Sequence, residues 1–163
     1  MFHLIPAPLH RIGLRLAHAV RKRWWRLARV QLNGCRVLAF DAEGQILLIR
    51  HSYGTGKWML PGGGIARNEQ PLIAARRELR EETGCDLRHA FVHSVMEETL
   101  FGTTNRVHLI AGLSVGEARA DEREIIALGY FAPEALPDDL SPAVRAHIDE
   151  WFAAFGLLRQ KQA

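Results

Sequence analysis

A glycine-rich turn that leads into a helix is the feature that most constrains how this chain folds. The run Leu60–Gly64 reads LPGGG, and glycine lets the backbone approach a neighbouring group closely. Pro71 is favoured in the first turn of a helix, and Gly84 is the residue type that commonly ends one. The spacing therefore predicts a helix over Pro71–Thr83 that follows a loop in which glycine is needed.

Three glutamates gather on one side of this predicted helix. Glu78, Glu81 and Glu82 stand at positions i, i+3 and i+4, while Leu72 and Leu79 belong to an apolar stripe on the other side. Like charges on adjacent turns repel one another, and hard divalent cations prefer oxygen ligands. The glutamates taken alone fit either a solvated acidic face or a metal site. The preceding glycine loop favours the metal site.

The segment from Gly63 to Cys85 resembles the Nudix box, G-x5-E-x7-R-E-U-x-E-E-x-G-U, in which U is a bulky apolar residue. The ninth defined position holds Cys85, a small apolar residue, where Ile, Leu or Val is usual. The resemblance extends over about residues 34–155. The other eight positions are filled at the required spacing by Gly63, Glu69, Arg77, Glu78, Leu79, Glu81, Glu82 and Gly84.

This resemblance implies an α/β fold, an α/β/α sandwich around a mixed β-sheet. It implies hydrolysis of the diphosphate bond in a nucleoside diphosphate linked to another group, by attack of a metal-activated water on phosphorus. The implied cofactor is Mg²⁺, with Mn²⁺ as a substitute, and the implied substrate is a small nucleotide. A non-catalytic nucleotide-binding regulatory module of the same fold is the alternative function.

The resemblance also assigns metal ligands by position. Glu78, Glu81 and Glu82 become ligands, together with the main-chain carbonyl of Gly62. Members of the family often add a carboxylate from outside the box, and Glu124 is the first candidate here because of its interval from the later Tyr-Phe pair. Glu122 is the second candidate, and Glu97 and Glu98 fit the pattern less well. These positions together form the expected metal site.

The remaining box residues receive supporting roles. Arg77 is expected to orient a glutamate of the box, and Glu69 to support that network from the loop. The general base differs within the family. Glu81 is our first candidate for it, and Glu124 is the alternative.

Four residues before the glycines are candidates for binding the substrate. An aromatic ring can stack on a nucleobase, and a cation can contact phosphate. The alternative interpretation is that the aromatic residues pack in the fold and that Lys57 is solvated. No motif of a particular subfamily follows the box, so the substrate stays open. The four candidates are Arg50, Tyr53, Lys57 and Trp58.

The basic charge of the chain is concentrated at its N-terminus. Residues 1–40 contain eight Lys or Arg and no acidic residue, whereas residues 41–163 contain thirteen basic and eighteen acidic residues. Apolar residues recur every three or four positions from Leu9 to Val30, which predicts an amphipathic helix. We therefore divide the chain into a basic arm, 1–33, and a domain, 34–163. We expect the arm to contact the second subunit of a homodimer, an anionic membrane surface or nucleic acid.

Composition indicates a globular protein of 163 residues. Hydrophobic residues make up 48% and charged residues 24% of the chain, which excludes a mainly disordered state. No apolar run approaches the roughly 18 residues that span a bilayer. Cys35 and Cys85 are too isolated for a disulfide scaffold, and we expect both to be reduced. The expected location is cytoplasmic, and peripheral to a membrane if the arm binds lipid.

Runs of apolar and polar residues predict the elements around the box. We expect a hairpin, a second hairpin that turns at Gly102–Asn105, a further strand and a final helix that begins at Ser141-Pro142. Trp58–Leu60 is expected to form a short strand. The predicted strands are Cys35–Phe40, Gln45–Arg50, Phe91–Phe101, Arg106–Val115 and Ile125–Phe131.

Overall fold

A computed structural model describes residues 32–100, 103–120 and 124–160. It contains five strands, two helices and one 3₁₀ turn in these ranges. The helix predicted over Leu9–Val30 lies outside the described residues. The elements are β1 (Leu32–Phe40), β2 (Ile46–His51), α1 (Pro71–Thr83), β3 (Asp86–Leu100), β4 (Thr103–Val115), β5 (Ile125–Phe131), the 3₁₀ turn (Pro133–Ala135) and α2 (Pro142–Gln160).

The strands form one mixed sheet in the order β3-β4-β1-β2-β5. Strand β1 runs parallel to β4 along nine residue pairs, from Leu32 opposite Asn105 to Phe40 opposite Leu113. The other neighbours in the sheet are antiparallel. Both predicted hairpins and the mixed sheet are confirmed, but the predicted turn at Gly102–Asn105 was wrong in extent, because Thr103–Asn105 already pair with β3 as part of β4.

Side chains of the central strand alternate between two cores, as the pleat of a β-strand requires. Leu38 and Phe40 pack with α2, whose Trp151 is buried among them. Val37 and Ala39 pack on the opposite face in the core that contains α1. The sheet therefore lies between two helices, and the predicted α/β/α sandwich is confirmed.

Both helices begin where the sequence predicts. Pro71 occupies the first turn of α1, and Gly84 closes that helix with a φ of 75° and donates its N–H to the Arg80 carbonyl. The Ser141 hydroxyl accepts the Val144 N–H at 3.4 Å at the start of α2. Within the described ranges, neither helix combines the length and apolarity needed to cross a bilayer.

Three strands begin three or more residues before the predicted start, and β2 is shifted by one residue, to Ile46–His51 instead of Gln45–Arg50. β1 begins at Leu32 and β4 at Thr103, because each is paired at that point with a neighbouring strand. β3 begins at Asp86, and an irregularity between Arg88 and Phe91 interrupts its pairing with β4. Pairing across the sheet therefore extends strands into residues whose own pattern is polar.

The prediction of a short strand over Trp58–Leu60 was wrong, because this segment forms isolated bridges and not a strand. Met59 pairs only with Ile49, and Trp58 pairs only with Leu140, each as an isolated bridge. These bridges nevertheless hold the start of the glycine loop against β2 and against the segment before α2.

The sheet opens between β1 and β2, and the glycine loop fills the opening. The two strands are paired only at Phe40 and Ile46. Beyond that point the β1 N–H groups of Cys35 and Val37 donate to the Gly63 and Pro61 carbonyls, both at 2.9 Å. The loop thus occupies the place of a strand, with its far end directed to α1.

Helix α1 is held on the sheet by apolar packing, which can be tested at Leu79. Leu79 is fully buried, so Leu79→Ala is expected to lower the free energy of unfolding by about 2–5 kcal/mol. Leu157→Ala, at a side chain of α2 that is 44% exposed, should change it by only about 0.5 kcal/mol. Urea unfolding followed by circular dichroism measures both, and equal losses would contradict the assignment of Leu79 to the core.

Candidate active site

The glycine loop lies so close to β1 on one side and to α1 on the other that side chains are excluded. Gly62 has a φ of 138°, and a Cβ atom there would lie 2.3 Å from the Cys35 carbonyl oxygen. A Cβ atom at Gly63 would lie 2.7 Å from the carboxylate of Glu78. Backbone and carboxylate can therefore meet only because both positions are glycine.

Arg77 connects the loop with three glutamates. Its Nε and Nη2 donate to the two oxygens of Glu69, each at 3.0 Å, as a fork that matches the carboxylate. Its Nη1 donates to Glu78 at 2.7 Å and to Glu81 at 3.3 Å. Nη2 also donates to the Gly64 carbonyl at 3.0 Å. These contacts engage all five N–H groups of the guanidinium.

The charges of this network stabilise one another. The hydrogen bonds that Arg77 donates to Glu69 and Glu78 raise the pKa of Arg77, which stays charged. The Arg77 hydrogen bond lowers the pKa of Glu69, and the Ala66 N–H adds to that effect. Arg77 therefore forms a fixed, charged link between the loop and the helix.

Glu82 is the buried carboxylate of the group. Its side chain is 7% exposed, and it accepts the Gly62 N–H at 2.8 Å. The Nε2 atom of His51 lies 3.6 Å from its other oxygen. Burial raises the pKa of Glu82 to about 8, and the charges of Glu78 and Glu124 act in the same direction.

Glu78 experiences opposing influences. Burial raises its pKa, the hydrogen bond from Arg77 lowers it, and the charges of Glu81 and Glu124 raise it again. The net effect is a raised pKa. Glu78 and Glu82 are therefore carboxylates whose negative charge lacks full compensation in the protein alone.

Glu124 joins this group from the start of β5. The Ser52 N–H donates to its carbonyl oxygen at 2.8 Å, and the Tyr53 hydroxyl donates to its side chain. The Tyr53 ring in turn lies 4.9 Å from the imidazole of His51, centroid to centroid. The segment that ends β2 therefore places Glu124 beside Glu82 and Glu78, whose pKa values it affects.

The chemistry of this donor set fits a hard divalent cation. It consists of carboxylate and carbonyl oxygens, and two of its carboxylates carry the raised pKa values that a cation would reverse. Among the described residues, no three acidic, histidine or cysteine side chains are already gathered as a metal cluster. Arg77 holds Glu78 and Glu81, while Gly62 holds Glu82.

The four substrate candidates fall into different places. Arg50 lies over the Trp58 ring, 5.0 Å from its centroid, and pairs with Asp139 before α2. Lys57 is exposed, and Tyr53 belongs to the carboxylate group instead. The structure thus brings Tyr53 to the glutamates, while Arg50 and Trp58 contact each other.

His51 is the site neighbour that sequence reasoning did not select. It follows Arg50 at the end of β2, and its pattern in the sequence was that of an ordinary strand residue. Its contact with Glu82 spans more than thirty positions of the chain, so no local pattern specifies it. The position of a histidine at the end of β2, just before the glycine loop and the box, is the sequence feature that could have indicated this contact.

Comparisons with known proteins agree on one family. Residues 31–155 match the model of the NUDIX domain. The chain is 33% identical to an RNA pyrophosphohydrolase of Azorhizobium caulinodans over 77% of each protein. It is 30% identical to a putative 8-oxo-dGTP diphosphatase of Bacillus subtilis, over 73% of this chain and 78% of the relative. Other matches to RNA pyrophosphohydrolases span only 35% or 32% of those relatives.

A solved structure gives the same result. The MutT Nudix hydrolase of Burkholderia pseudomallei superposes with a TM-score of 0.65 at 30% identity, covering 74% of this chain and 97% of that one. The chain therefore belongs to the Nudix family and to its hydrolase class. Hydrolases of this family generally use a divalent metal.

The raised pKa of Glu82 predicts how the stability of the metal-free protein depends on pH. A folded-state pKa of about 8 against an ordinary 4.5 means that the folded protein binds this proton more tightly than the unfolded chain. The free energy of unfolding should therefore fall as pH rises from 4.5 through about 8. Glu82→Gln cannot lose a proton, so it should lose less stability over this range.

Urea unfolding in chelator at about pH 5.5 and about pH 8.5 measures this difference. Glu134→Gln, at an exposed residue of the 3₁₀ turn, is the matched control and should behave as the unchanged protein. An identical pH dependence in Glu82→Gln and the unchanged protein would show that Glu82 is not the group responsible.

Proposed function

We propose that this protein is a Mg²⁺-dependent pyrophosphohydrolase, with Mn²⁺ as a substitute, that cleaves a diphosphate bond in a nucleotide. The observation that carries the proposal is the connected set of box residues. Arg77 joins Glu69, Glu78 and Glu81 in one network next to the buried Glu82. A protein that only binds nucleotides has no need of this complete set.

The cation ligands in this proposal are carboxylates of α1 and the residues that approach them. A bound divalent cation supplies neutralisation of the diphosphate charge and a lower pKa for a water molecule. Burial keeps Glu78 and Glu82 in place, and the Gly62 N–H orients Glu82 by its hydrogen bond. The proposed ligands are Glu78, Glu81, Glu82, Glu124 and the carbonyl oxygen of Gly62.

Glu81 is the proposed general base. Its side chain is 60% exposed, and its 3.3 Å contact with Arg77 is longer than the one that Arg77 makes with Glu78. Glu81 can therefore turn towards a water molecule without breaking the rest of the network. Glu124 is the alternative base, because its charge acts on Glu78 and Glu82.

The names of the relatives describe a shared kind of substrate. One kind of relative is named for RNA and the other for 8-oxo-dGTP, and in both cases a phosphate anhydride attached to a nucleotide is hydrolysed. We propose a nucleotide substrate of this class. A regulatory module that binds a nucleotide without hydrolysing it remains the second candidate.

The basic arm remains a predicted contact surface. It joins the domain beside the glycine loop, because the Ile65 N–H donates to the Asn33 carbonyl at 3.0 Å. Contact with a second subunit or with an anionic membrane, and the cytoplasmic location, stay predictions.

A nucleotide panel tests the activity directly. The panel includes triphosphates, 8-oxo-dGTP, nucleotide sugars, ADP-ribose, dinucleoside polyphosphates and 5′-triphosphorylated RNA, each with Mg²⁺ or with chelator. Metal-dependent release of phosphate or pyrophosphate from the triphosphates, or of a nucleoside monophosphate from the nucleotide sugars, ADP-ribose and dinucleoside polyphosphates, would support hydrolysis and identify the substrate class. Binding of a nucleotide without turnover on any member would favour the regulatory module.

Glu81→Gln tests the proposed base on the substrate that the panel identifies. Loss of the carboxylate should reduce kcat by at least about 100-fold, while urea unfolding stays unchanged. Glu134→Gln removes a carboxylate from an exposed residue outside the site and should retain full activity. Unchanged turnover in Glu81→Gln would remove this residue from the machinery and leave Glu124 as the base.

Tyr53→Phe tests whether Tyr53 positions Glu124. The variant keeps the ring beside His51 and loses the hydroxyl that donates to Glu124. We expect kcat to fall by about 10-fold, the cost of a hydrogen bond to a charged group. The double variant Tyr53→Phe/Glu124→Gln should be no slower than Glu124→Gln alone. Additive losses would show that Tyr53 acts independently of Glu124, for example on the substrate.

A further inference from the structure

A groove lined by arginines lies on the side of α1 that the carboxylate site does not use. It measures about 500 Å³ and is formed by the outer face of α1 and the first residues of β3. Three guanidinium groups and one imidazole therefore share a groove with a single carboxylate. Its lining residues are Arg76, Arg80, Asp86, Leu87, Arg88 and His89.

Two of these arginines are anchored by their inner nitrogen atoms. The Nε of Arg76 donates to the Leu87 carbonyl at 3.3 Å, and the Nε of Arg80 donates to Asp86 at 2.9 Å. The Nη2 of Arg80 also pairs with Asp86, so the charge of Arg80 is already partly compensated, and Arg76 and Arg88 carry the proposed contacts. Among the described residues, no carboxylate forms an ion pair with Arg76 or Arg88. Anchored guanidinium groups lose less freedom when a ligand binds, so the groove is prepared for an anion.

The groove and the carboxylate site are on opposite sides of the helix. Arg76 precedes Glu78 by two residues, and Arg80 precedes Glu82 by two. A separation of two residues is about 200° around an α-helix. The groove therefore belongs to neither the metal ligands nor the Arg77 network.

The chemistry of the groove indicates phosphate recognition. Guanidinium groups bind phosphate oxygens with paired N–H donors. The lining contains no aromatic ring on which a nucleobase could stack, apart from the single imidazole of His89. A groove with several phosphate-binding groups and little to hold a base matches the backbone of a polynucleotide better than a free nucleotide.

We propose that this groove binds the phosphodiester backbone of an RNA strand. A helix with its side chains is about 10–12 Å across, so a ligand that reaches both sides of α1 is longer than a mononucleotide. The link between the groove and the reacting end of the strand rests on the proposed function. Binding in the groove itself does not require hydrolysis.

The test is equilibrium binding of a labelled oligoribonucleotide of about 12 nucleotides with a 5′-hydroxyl end, measured by fluorescence anisotropy in chelator at several salt concentrations. This probe has no phosphate anhydride to hydrolyse. Arg76→Gln/Arg88→Gln should weaken binding about 10-fold and reduce the slope of log K against log salt by about 1.4, the value for two lost phosphate contacts. Arg88→Gln alone, at an exposed side chain, should show about half of the change in slope.

The matched control is Arg145→Gln/Arg159→Gln, which removes two exposed arginines from α2. If this control and the groove variant weaken oligoribonucleotide binding equally, the effect comes from the total charge of the protein, and the proposal is overturned. Unchanged binding in the groove variants would overturn it too. A groove variant that binds ATP more weakly but binds the oligoribonucleotide as before would also overturn the proposal, because that result would indicate a free-nucleotide site.

The same variants separate this proposal from the proposed function. Arg76→Gln/Arg88→Gln should retain the turnover of a free nucleotide, because neither residue belongs to the carboxylate site. Groove-dependent binding of the oligoribonucleotide without turnover of any nucleotide in the panel would support the groove and contradict the hydrolase. Turnover of a nucleotide in the panel, together with oligoribonucleotide binding that the groove variant does not weaken, would support the hydrolase and contradict the groove.

Discussion

The contact between the glycine loop and the carboxylates of α1 is the interaction on which the rest of the site depends. Gly62 donates its N–H to Glu82, and Gly63 lies against Glu78 at a distance that leaves no room for a side chain. The loop can reach this place because β1 and β2 separate after one residue pair. The hydrogen bonds that β1 would have given to β2 go to Pro61 and Gly63 instead. The opening in the sheet thus places the loop backbone where its N–H group can donate a hydrogen bond to a carboxylate of α1.

Charge is the second constraint on this arrangement. Arg77 satisfies three glutamates at once, yet it cannot offset the burial of Glu82 or the mutual repulsion of Glu78, Glu82 and Glu124. The raised pKa values are the direct consequence. A group of carboxylates that is costly in the protein alone becomes favourable when a divalent cation is bound. In the proposed function, the same feature that weakens the metal-free fold prepares these carboxylates for a divalent cation.

Helix α1 presents three different faces to its surroundings. Ala75 and Leu79 pack on the sheet, the glutamates face the glycine loop, and Arg76 and Arg80 line a groove with the start of β3. The faces stay separate because the residues follow the helical period of 3.6. A single helix can therefore hold the fold together, carry the acidic site and offer a basic surface.

The sequence by itself determined the local elements and the set of residues that we propose as reacting groups. Pro71, Gly84 and Ser141 mark the ends of helices through backbone preferences that act over a few residues, and the spacing of the box assigns the glutamates. Tertiary structure alone decided the early start of β3, the pairing of Tyr53 with Glu124 and the pairing of Arg50 with Asp139. These contacts join residues 71 and 89 positions apart. No local pattern specifies them, because they depend on how the sheet closes and where it opens.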